Sequence, residues 1–259
     1  MEAHGLSRAG SSIRAILAQD RPWSVYALGD LVPPYDSHCT WIESPSEAAL
    51  ALLNRAFDPP VLFTTGDPAA IAGILSEIAA EPAFYLHVRP AIVPLIAQHW
   101  RIDHLKEMRR MVLDSSRFDP PATDHAMRLG TSDLGLLERL YADGRGTGES
   151  PDFFYPSMLS DGVFYGVAED GELISVAGTH LVTAEVSVGA IGNVYTRSDR
   201  RNRGLGAQVT AAVAAELLRC QIRTIALNVA EQNGTARRLY ERLGFVDHCG
   251  YCEGIARAG

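Results

Sequence analysis

The doublet Pro120-Pro121 most constrains what this chain can fold into. Neither residue has a backbone N–H to donate and both fix φ, so the segment can continue neither a helix nor a central strand. It lies in Asp114 to Asp124 (DSSRFDPPATD), where Ser, Asp and Pro concentrate between two regions of regular apolar pattern. A linker is expected there, with domains over 1–118 and 125–259. At 259 residues the chain is long for one compact core and comfortable for two. Hydrophobic residues are 47% and charged residues 21%, the balance of a globular protein and not of a disordered one.

Before the linker, Val61 to Thr65 reads as a strand and Pro68 to Ala80 as a helix with proline in its first turn. Phe84 to Val88 then reads as a strand and Arg89 to His99 as a helix, so this half is α/β. After the linker come a helical stretch, Leu134 to Ala142, and a Gly-rich loop, Asp143 to Pro151. Three strand-like runs follow, Val163 to Ala168, Leu173 to Leu181 and Glu185 to Tyr195, with the turn Glu169-Asp170-Gly171 between the first two; such succession predicts antiparallel pairing. The order then becomes helix Leu205 to Arg219, strand Arg223 to Val229, helix Thr235 to Leu243 and strand Phe245 to Cys252. The fold class is therefore α/β with an α+β mixed sheet, and a ligand is expected where the pattern changes.

Several partner classes are disfavoured. The longest apolar runs, such as Ala48 to Leu53, fall far short of the roughly 20 residues that span a bilayer, and Met1 to Gly10 has no apolar signal region. No membrane association and a cytoplasmic location are expected. A net charge of −8 argues against nucleic acid, which needs a basic surface, and suits a cationic amine. Cys249-x-x-Cys252 beside His248 would make half of a tetrahedral metal site, but no second ligand pair lies at usable spacing. Thiols in a reducing compartment, and no metal, are the expectation.

The run Arg200-Arg201-Asn202-Arg203-Gly204-Leu205-Gly206 follows a strand ending Val194-Tyr195-Thr196 and opens an amphipathic helix. Leu205, Val209, Ala212, Val213 and Leu217 recur at helical steps, so one face packs on the sheet and fixes the helix start beside the strand. Its free N–H groups, the helix dipole and close approach over Gly204 and Gly206 make an anion cradle suited to pyrophosphate, with three arginines adding charge. Taken alone, a Gly-x-Gly turn on a solvated basic surface has the same appearance. A P-loop needs Lys-Ser/Thr after the glycines, and Ala207-Gln208 stand there; a dinucleotide fingerprint needs a third small residue, and position 209 is Val. The strand Arg223 to Val229 also ends without a ribose-binding acid.

Arg201-x-x-Gly204-x-Gly206 between strand and helix resembles the acyl-CoA loop of the GNAT superfamily of N-acyltransferases. Asn228, Asn233 and Leu239-Tyr240-Glu241-Arg242-Leu243-Gly244-Phe245 resemble its downstream signature. The resemblance covers roughly Ala126 to Glu253. It implies that the pyrophosphate of acetyl-CoA sits on Arg201 to Gly206, and that the pantetheine arm adds itself to the strand ending Val194-Tyr195. It further implies that Tyr240 hydrogen-bonds the CoA sulfur and protonates the leaving thiolate. By spacing alone, Ala236, Leu239, Tyr240 and Leu243 form a helical stripe that predicts a core tyrosine. Asn233 starts that helix and can cap it, to which the resemblance adds a hydrogen bond to the cofactor. Asn228 ends the preceding strand and could hold the splayed strands or the pantetheine.

The reaction so implied is direct attack by a neutral amine on the thioester, with an N–H near Val194 or Tyr195 as oxyanion donor. The proton acceptor stays open among Glu149, His180 and Glu185, each of which also reads as an ordinary surface residue; Asn193 cannot serve as a base. In the first half, Thr64-Thr65-Gly66-Asp67-Pro68 places an acid and a proline where donors would be needed, so no CoA site is expected. The order of its elements resembles a degenerate copy of the same fold, as in tandem members similar to glycine N-acyltransferases; an unrelated α/β domain is the alternative. The activity expected is N-acetyl transfer to a small-molecule or peptidyl amine by a monomer or homodimer. A catalytically silent acyl-CoA-binding or regulatory module is the alternative.

Overall fold

The structure, a computed structural model, describes residues 12–146, 148–151 and 153–259. Met1 to Gly10 lies outside the described residues, as do Thr147 in the Gly-rich loop and Asp152 just beyond it. Two compact units divide the chain. The first takes residues up to Arg110 together with Val229–Gln232 and His248–Gly259; the second takes Met111–Asn228 and Asn233–Asp247. The chain passes between them at 110/111, 228/229, 232/233 and 247/248, and Pro120-Pro121 lies within the second. No helix of the described residues is long and apolar enough to cross a membrane.

In the first unit, β1 (Cys39–Glu43), β2 (Ala49–Asn54) and β3 (Val61–Gly66) pair antiparallel in turn, and β3 runs parallel to β4 (Ala83–Val88). Residues 252–257 of the last strand, β11 (Phe245–Ala258), pair antiparallel with β4. Every residue of β2 is buried, as befits the apolar run Ala48 to Leu53. A short helix α1 (Val25–Gly29) precedes this sheet, and α2 (Pro68–Glu77) joins β3 to β4. Asp67 starts α2 by accepting the Ala70 N–H at 2.9 Å, and Ile71, Ile74 and Leu75 then face Leu62, Phe84 and Leu86 in the core. The helix expected over Arg89 to His99 is only a 3-10 turn, Pro90–Ile92, and one α-turn, α3 (Val93–Ile96), before β5 (Trp100–Leu113) begins. Pro94 explains the break: it has no N–H for the carbonyl four residues back and its ring collides with the preceding turn. Arg110 of β5 is fully buried and satisfied by the carbonyls of Pro22 and Trp23 and by His87 Nε2 at 2.6 Å.

In the second unit, β6 (Met127–Arg128), β7 (Phe164–Glu169), β8 (Glu172–Thr183) and β9 (Val188–Thr196) pair antiparallel in sequence, as the succession of strand-like runs predicts. Asp170 (φ 52°) and Gly171 (φ 79°) make the β7–β8 turn. Strand β10 (Thr224–Ala230) then pairs parallel to β9. The helices are α4 (Leu134–Arg145), α5 (Ser157–Asp161), α6 (Leu205–Arg219) and α7 (Gly234–Arg242). Helix α6 spans the residues expected of it and buries Val209, Val213 and Leu217 against β7, β8 and β9. Leu137, Leu140, Tyr141, Phe164, Val176 and Tyr195 form a core cluster of this unit. The Phe164 ring lies where a Cβ on Gly178 would come within 2.2 Å of it. Phe164→Ala, which empties a fully buried site, is therefore expected to cost about 3–5 kcal/mol, read as a lower urea midpoint for the second unit.

Candidate functional site

The site is built on a change in how β9 is held. Its parallel pairing with β10 runs from Val188↔Thr224 to Ile191↔Leu227 and goes no further. On its other edge the pairing shifts register: Gly178 faces Gly192, and Val176, two residues earlier, faces Tyr195, three residues later. One extra residue in β9 makes a β-bulge. Asn193 stands in it at φ 53°, a left-handed conformation that Asn tolerates better than most residues. Its carbonyl accepts the Tyr141 hydroxyl at 2.9 Å, its Nδ2 lies 3.5 Å from Met158 Sδ, and its buried Oδ1 has no partner among the described residues. Val194, Tyr195 and Thr196 therefore lie on a strand edge that β10 does not cover, and Asn228 is the first residue of β10 past the parting.

The loop after β9 comes next in space. A 3-10 turn, Ser198–Arg200, leads through Asn202 at φ 61° to Gly204 at φ 76°, the N-cap of α6. A side chain at 204 would be strained by this φ. Gln208 N–H closes the first helical turn onto the Gly204 carbonyl at 3.1 Å, so the N–H groups of Leu205, Gly206 and Ala207 precede the ladder, and no side chain caps the helix. A Cβ on Gly206 would meet only Leu239 Cδ1 and Thr196 Oγ1, each at 3.5 Å, so α7 lies against the helix start.

The arginines are not surplus charge. Arg201 grips Glu149 with two N–H groups at 2.9 and 2.8 Å and the Thr196 carbonyl with its Nε. Arg200 bonds Glu169 and Asp199, and Arg203 pairs with Glu169. Three guanidinium groups thus meet the three carboxylates of Glu149, Glu169 and Asp199. The backbone of the helix start is left as the anion-binding element.

Tyr240, on α7, is 7% exposed and packs edge-on against Phe245 with ring centroids 6.1 Å apart. Its hydroxyl has no hydrogen-bond partner among the described residues, and burial pushes its pKa up to about 12. It keeps its proton at neutral pH. Asn233 accepts the Ala236 N–H at 3.0 Å and is the N-cap of α7. Among the three candidate bases, Glu149 is held by Arg201, and Glu185 lies in the turn between β8 and β9, at the end away from Asn193. The His180 ring lies against Gly192, where a Cβ would come within 2.3 Å, and so sits next to the bulge. Sequence reasoning missed Tyr141 and Asp143: the first holds the bulge carbonyl, the second accepts the Tyr195 hydroxyl at 2.8 Å. Both lie on α4, some fifty residues before their partners, and no local pattern marks them. Among the described residues no group of metal-ligating side chains comes together, and none of the four cysteines forms a disulfide.

Residues 135–245 match the family model described as acetyltransferase (GNAT) family. No curated protein matches the sequence. A solved GNAT-family protein from Novosphingobium aromaticivorans has a TM-score of 0.63 at 22% identity, over 93% of this chain and 100% of that one. A GCN5-related N-acetyltransferase from Kribbella flavida has a TM-score of 0.61 at 17% identity, over 92% of this chain and 95% of that one. A tandem GNAT protein from the clavulanic acid biosynthesis pathway has a TM-score of 0.63 at 15% identity, over 100% of this chain and 96% of that one. At these identities, the structural likeness shows a shared fold.

Burial also raises Tyr195 to about 12, helped by the hydrogen bond to Asp143. Tyrosines whose pKa is raised on folding contribute stability that is complete below their unfolded value near 10 and is lost as pH climbs toward 12. Stability is therefore expected to fall between about pH 10 and 12, where the tyrosines of the unfolded chain ionise ahead of Tyr195 and Tyr240 in the folded one. Alkaline titration that follows phenolate absorbance and circular dichroism together checks this; ionisation of every tyrosine with the fold intact would contradict it.

Proposed function

We propose that this chain, whose residues 135–245 form a domain of the GNAT acetyltransferase family, moves an acetyl group from acetyl-CoA to the amine of a small molecule or peptide. The observation that carries this reading is the parting of β9 from β10 after Ile191 beside the uncapped start of α6. A parted strand offers backbone donors and acceptors to an extended amide chain, and a helix start offers N–H groups and a positive dipole end to pyrophosphate. The residues present fit such a donor. Gly204 has open space where a Cβ would stand, and the Asn193 amide oxygen lies buried and unpartnered at the bulge.

Acetyl-CoA, when bound, supplies a thioester carbonyl open to attack and a thiolate leaving group. In this reading the backbone of Arg201, Asn202, Arg203, Gly204, Leu205 and Gly206 takes the pyrophosphate, with Arg200 fixing the loop through Glu169. The open edge at Val194, Tyr195 and Thr196 orients the pantetheine, and a Val194 or Tyr195 N–H is the donor to the carbonyl oxygen as charge develops on it. Asn228, at the parting, and Asn233, at the start of α7, add side-chain amides to the same binding face. As the N–C bond forms and the C–S bond breaks, the amine proton passes to His180 and the sulfur receives a proton from Tyr240. An imidazole suits the first task near neutral pH, and a phenol held protonated suits the second.

Release of free thiol from acetyl-CoA with a panel of amines tests the activity; tight binding with no turnover on any amine would favour the silent acyl-CoA-binding module. Tyr240→Phe is expected to lower turnover about 10²-fold with acetyl-CoA affinity nearly unchanged. Full activity in that variant would remove the acid role. His180→Gln is expected to lower kcat by a similar factor with acetyl-CoA affinity nearly unchanged; full activity in that variant would remove the base role. Gly206→Glu sets a charged side chain against the helix start and should abolish acetyl-CoA binding in calorimetry.

A further inference from the structure

The first unit holds a cavity of its own, of about 290 Å³, lined among others by Asp20, Trp23, Thr64, Ile71, Arg89 and Ile92. It lies at the carboxyl ends of two parallel strands. Thr64 is in the C-terminal half of β3, and Arg89 follows the end of β4. Crevices at that position are where α/β sheets take ligands.

Its lining is amphipathic and carries both signs of charge. Trp23, Ile71 and Ile92 are each at most 2% exposed and form an apolar wall. Thr64 is 1% exposed, and its hydroxyl has no hydrogen-bond partner among the described residues. Arg89 lays its guanidinium over the Trp23 ring, 4.4 Å from the centroid, and gives one N–H to Asp20 Oδ2 at 2.8 Å. Most of its donors remain available. The Asp20 Oδ1 takes the Trp23 N–H at 3.1 Å and pairs with His248 Nε2 at 2.7 Å, whereas Oδ2 has Arg89 alone and keeps a lone pair. Burial pushes the Asp20 carboxyl up, but the His248 and Trp23 hydrogen bonds and the Arg89 charge bring it below its ordinary value, so it is ionised. Both partners of this pair are about one-third exposed and reachable.

These features narrow the ligand. The neighbouring start of α2 cannot serve a phosphate: Pro68 has no N–H, and the Asp67 carboxylate already takes the N–H of Ala70. A lone carboxylate would face Asp20, and a lone ammonium would face Arg89. A molecule that carries both charged groups on one carbon meets the ion pair with opposite charge on each side. The cavity is at the small end of ligand sites, too small for a CoA-sized group.

We propose that this cavity binds a small zwitterion of α-amino-acid type with an apolar side chain. Its carboxylate lies on Arg89 and the Thr64 hydroxyl, its ammonium on Asp20, and its side chain on Trp23, Ile71 and Ile92. The proposal concerns the first unit alone and stands whether or not acetyl transfer is found. Calorimetry on the full chain with L-leucine, L-methionine and L-phenylalanine tests it, with 4-methylpentanoate lacking the amine and 3-methylbutylamine lacking the carboxylate. At least one amino acid is expected to bind at or below about 1 mM, with the two single-charge analogues at least about tenfold weaker. Arg89→Gln and Thr64→Val are each expected to weaken binding several-fold. Ala91→Trp, at an exposed position on the cavity lining, fills the space with the ion pair intact and should abolish binding. No binding by any of the three amino acids, equal binding of 4-methylpentanoate, or undiminished binding in Ala91→Trp would overturn the proposal. If Arg89→Gln lowers the thermal midpoint, Ala91→Trp decides.

Discussion

After Ile191 the backbone of β9 has no pairing strand on its β10 side among the described residues, and the rest of the candidate site follows from that loss. Strands β9 and β10 are parallel and are joined by α6, so they had to be connected by a crossover that packs back on the sheet. The parting of the two strands leaves the start of that crossover helix beside an uncovered strand edge. The extra residue at Asn193 swings the edge further, and the buried hydrogen bond from Tyr141 to the Asn193 carbonyl holds the bend. A bulge with a left-handed residue in it would be an energetic liability on an ordinary strand. Here it is supported by side chains from α4 and α5, the helices that follow the linker.

The charge pattern around the loop gives a different picture from the arginine run read alone. Each guanidinium is paired at the surface, and pairs of this kind contribute little to stability individually. What they do is fix geometry. Glu149 on Arg201 ties the Gly-rich loop to the loop before α6, and Glu169 does the same between the β7–β8 turn and Arg200 and Arg203. Positive potential for an anion then comes from the fixed N–H groups of the helix, which need not rearrange to receive it.

Much of the fold could be read along the chain where local rules govern. The meander β7–β8–β9, the extent of α6 and the Asn233 cap all follow from short-range patterns. What could not be read depends on contacts distant in sequence. The residues from Glu185 to Tyr195 look like one uninterrupted strand, and nothing in them announces that Asn193 is a bulge, because the register is set by β8. Tyr141 and Asp143 sit in an ordinary amphipathic helix and acquire their roles only from carbonyl and hydroxyl groups on β9. Pro94 stands inside the expected helix of Arg89 to His99, which is two single turns in the structure. The cavity beside Arg89 is assembled from three separate stretches of chain and has no linear signature.

The last twelve residues, His248–Gly259, belong to the first unit and supply the strand beside β4, although they follow everything the second unit contains. No single cut in the polypeptide separates the two units with their elements complete. During synthesis the first unit therefore lacks the strand beside β4 until the ribosome has passed the last residue of the second.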